Sequence, residues 1–203
     1  MKKLVLIALA AVLALSSCGK GENGVKPSNK IEGTWMRMGD SFQGTVVKIE
    51  NGKGKILMLN SDAAENWNKG DYKFKGIKKD KAGVYSLGDL YTGKEYKDSE
   101  AKVNGLTMTI SSLSNSKVKY TYIRIPENYS DTYKGAFDGD TMTISLLPYD
   151  LIGYEDGYDM IVQASVHVGD MYYVSDDGSY ISIRKDKDKL VMYSEGDSLV
   201  LKK

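Results

Sequence analysis

One cysteine, one histidine and three prolines in 203 residues remove several kinds of chemistry before any motif is read. Cys18 alone cannot close a disulfide within the chain, nor build a thiolate zinc site, which takes several sulfur or imidazole ligands. His167 alone excludes histidine-rich metal centres. It would be the only available base for a serine triad, yet its setting, Ala164-Ser165-Val166-His167-Val168 before Gly169-Asp170, reads as an edge strand, and no nucleophile elbow accompanies it. No phosphate-cradling glycine loop precedes a helix. No catalytic residue, metal ligand or cofactor is therefore assigned, and the chain is expected not to be an enzyme. Charge of one sign is also missing: 28 basic residues face 27 acidic ones. Without a basic stripe, nucleic acid is not an expected partner. The longest apolar run, Leu4 to Leu15, is too short for the roughly 20 residues a membrane-spanning helix requires.

That run has another use. Lys2 and Lys3 precede it and Ser16, Ser17 and Cys18 follow it, which is the layout of an export signal over residues 1–17. Leu15-Ser16-Ser17-Cys18 resembles the lipobox of bacterial lipoproteins. The resemblance implies that Cys18 is lipidated, becomes the first residue of the mature chain, and holds the protein on a membrane of the cell envelope, expected to be the outer membrane. It also accounts for a thiol with no disulfide partner in an exported protein. Residues 18–30, rich in glycine and polar residues with Val25 as their only sizeable apolar side chain, read as the lipidated cysteine and a flexible tether.

From Ile31 onward, hydrophobicity alternates at period two. Leu106, Met108 and Ile110 share one face against Thr107 and Thr109, and Tyr72 and Phe74 alternate with Lys73 and Lys75, so that both lysines are expected to face water. Asn51-Gly52, Asn104-Gly105, Asp138-Gly139, Gly169-Asp170, Asp177-Gly178 and Gly196-Asp197 supply hairpin turns. The fold class is all-β, an antiparallel meander. Eight strands are predicted near 33–38, 43–50, 53–59, 71–77, 82–88, 95–103, 105–112 and 117–125, and seven more near 131–137, 140–147, 159–168, 170–175, 179–185, 189–194 and 197–202. Only Ser61–Asn68 suggests a helical turn. Pro126 stops strand pairing, which divides the body into an eight-stranded barrel over 31–126 and a second, smaller antiparallel β unit over 127–203. Gly105-Leu106-Thr107-Met108-Thr109-Ile110-Ser111 is echoed by Gly139-Asp140-Thr141-Met142-Thr143-Ile144-Ser145, either from duplication or from convergence of two half-buried strands.

Gly33-Thr34-Trp35 on the first predicted strand resembles the Gly-x-Trp signature of the lipocalin and calycin superfamily. The resemblance covers about 31–126 and implies that Trp35 closes one end of a barrel, with Gly33 beside it and Arg124 from the last strand packed across it. The chain departs from that family in lacking a helix after the barrel and in continuing into further strands.

Tyrosine is abundant, fifteen against three phenylalanines and two tryptophans. Its apolar face and polar tip suit glycan stacking and protein interfaces. Tyr149, Tyr154, Tyr158 and Asp156, within a loop expected over Pro148–Met160, form the candidate recognition surface, and Trp67 either caps a cavity mouth or covers an edge of the core. The expected function is a membrane-anchored, non-enzymatic binding lipoprotein for a small apolar molecule or a glycan. An interaction or inhibitor-like subunit of an envelope complex is the alternative, and a glycosidase built on paired carboxylates the remotest.

Overall fold

In the computed structural model, which describes residues 25–137, 140–155, 160–176, 179–194 and 197–203, the chain is almost entirely antiparallel β-structure. It divides into two compact units, the first ending at Glu127 and the second spanning Asn128–Lys203. Cys18 and the proposed signal lie outside the described residues.

The first unit is a closed barrel of eight strands in sequence order: β1 Gly33–Met38, β2 Val46–Glu50, β3 Lys53–Met58, β4 Tyr72–Lys81, β5 Val84–Leu90, β6 Tyr96–Asn104, β7 Thr107–Ser112 and β8 Lys119–Ile125. Closure comes from β1 against β8, where Trp35 lies opposite Arg124 and Arg37 opposite Tyr122. The Asn51-Gly52 turn adopts left-handed φ at both residues, 51° and 71°, as a two-residue hairpin requires. Side chains fill the barrel: Trp35, Phe74, Tyr122, Val47, Ile49, Ile56, Met108 and Ile110 are all buried in one cluster. Phe74 meets Tyr122 edge-on at 5.8 Å, an arrangement worth about 1 kcal/mol beyond the area it buries.

The second unit carries β9 Asp131–Phe137, β10 Asp140–Leu147, β11 Leu151–Glu155, β12 Met160–Ala164, β13 Val166–Val168, β14 Met171–Asp176, β15 Ser179–Asp186, β16 Lys189–Ser194 and β17 Asp197–Lys202. Their order is β12-β11-β10-β9-β17-β16-β15-β14-β13. The two edge strands are consecutive in sequence, with only Ser165 between them. Segment 160–168 thus acts as one bent stave, its first half paired to β11 and its second to β14, and the sheet nearly closes on itself. The bend is fixed because Ser165 donates both its backbone N–H (2.7 Å) and its hydroxyl (2.8 Å) to the Asp150 carbonyl. Tyr133, Ile144, Ile152, Val174, Ile183, Leu190 and Leu201 make the core.

Three expectations need correction. Pro148–Met160 is not one loop: Tyr149 and Asp150 turn the chain with φ of 63° and 54°, and β11 follows at once, with Leu147 opposite Leu151. The strand expected over 159–168 is broken at Ser165. The helical turn shortens to α1, Ser61–Ala64, capped by Asn60, whose side chain accepts from the Ala63 N–H. The internal echo falls on β7, seventh stave of the first unit, and on β10, second strand of the next. Those places are not equivalent, which favours convergence on a common strand pattern over duplication of that segment.

Candidate functional site

Trp35 and Arg37 share the inward parity of β1, and Tyr120, Tyr122 and Arg124 that of β8, so the two strands bring charge and aromatic rings to both ends of the barrel. At one end the Trp35 indole N–H donates to the Ile31 carbonyl at 2.7 Å. Arg124 lies over the Trp35 ring, 4.2 Å from its centroid, and donates to the carbonyls of Glu32 (2.6 Å) and Lys30. Gly33 makes this possible: its φ is +134°, and a Cβ there would stand 2.4 Å from Arg124 Nη1. Gly33, Trp35 and Arg124 are thus brought together as one plug. The same end pins part of the expected tether. Ser28 N–H donates to Gly105 O at 3.1 Å and the Tyr85 hydroxyl to Asn29 O at 3.0 Å, so the chain is attached to the barrel from residue 28 onward.

The opposite mouth is built from three connections. The β1–β2 loop carries Asp40 and Phe42. The segment after α1 carries Trp67, and the β5–β6 turn follows Tyr91. Asn60 binds the first two together, its amide donating to Ser41 O (2.6 Å) and Gln43 O (3.1 Å). The Trp67 indole N–H holds Tyr91 O at 2.9 Å. Trp67 and Phe42 meet edge-on at 5.1 Å.

Beneath them lies Lys73, only 2% exposed. It was expected to face water, alternating with Tyr72 and Phe74, but a bulge in the β3–β4 pairing sets Gly54 opposite Phe74 and Lys55 opposite Tyr72. Lys73 becomes the extra residue and turns inward together with Phe74, while Tyr72 is left exposed. Gly54 gives Phe74 its room, since a Cβ there would sit 2.7 Å from the Phe74 ring. Lys73 Nζ donates to Asp89 Oδ1 and to Leu90 O, each at 2.5 Å, and sits 4.1 Å over the Trp67 ring. Tyr120 donates its hydroxyl to the other oxygen of Asp89. Arg37 stacks over the Tyr120 ring at 3.9 Å and grips Asp40 with a two-pronged set of hydrogen bonds of 2.7 to 3.0 Å. Burial pushes the Lys73 ammonium down to about 8, even though Asp89 pulls the other way. Burial, with the Asp89 carboxylate alongside, pushes the Tyr120 hydroxyl well up.

A cavity of about 230 Å³ opens here between Arg37, Phe42, Trp67, Lys73, Tyr91 and Tyr120. It lies below the roughly 300–1,000 Å³ of pockets that enclose a drug-sized molecule, so it suits one ring or one side chain. A larger hollow of about 450 Å³ lies by Ile31, Ile49 and Tyr85 at the plugged end, but its charged lining residues, Lys30, Glu32 and Lys79, are exposed, and the hydroxyl of its buried Tyr85 is already given to Asn29 O. The mouth is the stronger site.

The sequence reading missed Arg37, Lys73, Asp89 and Tyr120. Strand parity carried a signal for three of them: Asp89 repeats the inward register of Tyr85 and Leu87, as Arg37 does that of Trp35 and Tyr120 that of Tyr122. Of the expected recognition loop, Tyr154 packs partly buried on the second core and Tyr149 occupies a tight turn. Asp156 and Tyr158 lie outside the described residues. His167, on β13, stacks flat on Tyr172 at 4.2 Å, with Asp150 at 3.6 Å from its Nδ1. Among the described residues no three histidine, cysteine or carboxylate side chains gather as a metal site would require.

The chain matches no family model, no curated protein and no solved structure.

Proposed function

We infer that this chain is a lipid-anchored, non-enzymatic binding protein of the bacterial envelope, held on the outer membrane through Cys18. Its first barrel engages one hydroxyl-bearing ring, such as a sugar residue of a glycan, at the mouth. The observation that carries this reading is the contrast between a filled barrel and an aromatic-walled cavity at its rim. A long apolar ligand has no room in the interior, so what binds is small enough for the mouth. Phe42 and Tyr91, with the buried Trp67 behind them, line the cavity with aromatic surface against which a ring packs, and Asn66 and Thr92 bring polar groups to the same lining.

The resemblance to lipocalins draws support from Arg124 over Trp35 beside Gly33. Binding rather than catalysis is favoured because Asp89, the carboxylate that lines the cavity, is held by Lys73 and Tyr120, and Asp40 beside it by Arg37, which leaves neither poised as the acid a glycosidase needs. A second reading, an accessory subunit of an envelope complex, is favoured by the cavity's size, which also fits a single side chain of a partner.

Native mass spectrometry of the unlipidated body against glycan fragments tests the first reading. Saturable binding that Trp67→Ala abolishes is expected. No binding by any fragment, together with stoichiometric recovery of one envelope protein from solubilised membranes, would replace it with the second. Metabolic labelling with a fatty acid, lost in Cys18→Ser, tests the anchor separately.

A further inference from the structure

The second unit carries an outward face that its own fold leaves uncovered. The strand register lines up two cross-strand rows on it. One runs Val166, Tyr173, Ser182, Tyr193, Ser198, and the next runs Val168, Met171, Arg184, Val191, Val200. Inward parity is taken by Tyr172, Val174, Ile183, Leu190, Met192 and Leu201, so both rows point away from the core. Val166 and Val168 are 65% and 62% exposed, and Tyr173, Tyr193 and Val200 are also exposed. A third row, Asp186, Lys189, Lys202, Lys134, borders the apolar ones. With Arg184, the described strand positions of this face carry four cations against one carboxylate, and the turns beside them add Asp170, Lys187 and Asp188.

We propose that this face docks on an anionic lipid surface, the basic row meeting headgroups and the valines and tyrosines settling at the boundary with the acyl chains. Charge complementarity points to an anionic occupant, and tyrosine with branched aliphatics beside long basic side chains is a composition suited to that boundary. The outer wall of a β-sheet that nearly closes on itself is convex. A rigid copy would touch it along a narrow line, whereas a fluid bilayer deforms to meet it. The proposal also draws on the lipobox reading, because a chain anchored through Cys18 stays close to the lipid surface that holds it.

The test uses the chain from Gly19 onward, unlipidated, so that its outcome does not depend on Cys18. Co-sedimentation with phosphatidylcholine vesicles containing phosphatidylglycerol should show binding that weakens with salt and falls roughly a hundredfold on pure phosphatidylcholine. Val168→Asp with Val200→Asp should reduce binding roughly tenfold or more. Lys189→Glu with Lys202→Glu, surface changes that spare the core, should abolish the preference for anionic vesicles. Leu113→Asp, an exposed residue of the first unit, should change nothing. Absence of binding to either vesicle overturns the proposal, as does binding unaffected by both double variants. Sedimentation as a dimer that Val168→Asp dissolves would assign the face to a second copy instead. Failure of fatty-acid labelling at Cys18 would remove the anchor and leave the vesicle result standing.

Discussion

The two units solve one problem, closing an antiparallel meander on itself, in different ways. The first pairs every strand with both neighbours, β1 with β8 included, and packs its inside with aromatic rings and a buried Lys73–Asp89 pair. The second closes through one broken stave, and its central layer is almost wholly aliphatic apart from tyrosines. Its ion pairs sit at the rim, where Asp131 takes Lys185 at 2.8 Å and Lys203 at 2.5 Å. Barrel closure is therefore compatible with either a charged or an apolar interior. Among the described residues, only the charged one builds a mouth with chemistry in it.

The largest effect should come from breaking that buried pair. Lys73→Ala leaves the Asp89 carboxylate and the Tyr120 hydroxyl in a dry site, and is expected to cost about 3–5 kcal/mol. Hydrogen exchange should register the loss over the first unit and spare the second. Lys73→Met with Asp89→Leu should recover much of it, because an apolar pair of similar volume carries no buried charge.

Next comes Gly33→Ala, which places a methyl against Arg124 Nη1 at a left-handed φ and should cost about 1–3 kcal/mol in denaturant unfolding. Gly135→Ala, whose Cβ would meet Val200 O at 3.0 Å without a positive φ, should cost the second unit less. Ser165→Pro deletes the N–H that fixes the bent stave and should cost the second unit about 1–2 kcal/mol, with no effect on the first.

The smallest effect is a rise of stability with pH that belongs to the buried pair of the charged barrel. Between about 8 and 10.5 the unfolded lysine holds its proton while folded Lys73 releases it, so stability should rise with pH over that window. Above 10 burial keeps Tyr120 protonated after the unfolded tyrosine ionises, and stability should turn down. Lys73→Met with Asp89→Leu should remove the rise.

Much of the architecture was legible because alternation and turn dipeptides point the same way: fourteen of the fifteen predicted strands each match one strand, and the end of the first unit falls one residue beyond Pro126. β11 was not. Leu151-Ile152-Gly153-Tyr154-Glu155 is short, has a glycine inside, and is preceded by Tyr149-Asp150, a left-handed turn without glycine. Ser165 likewise carries no mark of a break, because its bend depends on a carbonyl fifteen residues away. The mouth was hidden for a related reason. A one-residue bulge at Lys73 reverses its side, and a bulge follows from pairing with β3, which local spacing does not encode. Gly33, Trp35 and Arg124 were found because their motif lies on unbulged strands.

The chain's two indoles offer the most direct test of the central claim, that the first barrel is closed by Trp35 and binds at Trp67. Trp35 donates to Ile31 O and Trp67 to Tyr91 O, so each gives its own indole N–H resonance in a nitrogen–proton spectrum. A saturating ligand should move the Trp67 signal and leave that of Trp35 in place. Movement of the Trp35 signal alone would put the ligand at the plugged end or inside the barrel, and would contradict the account.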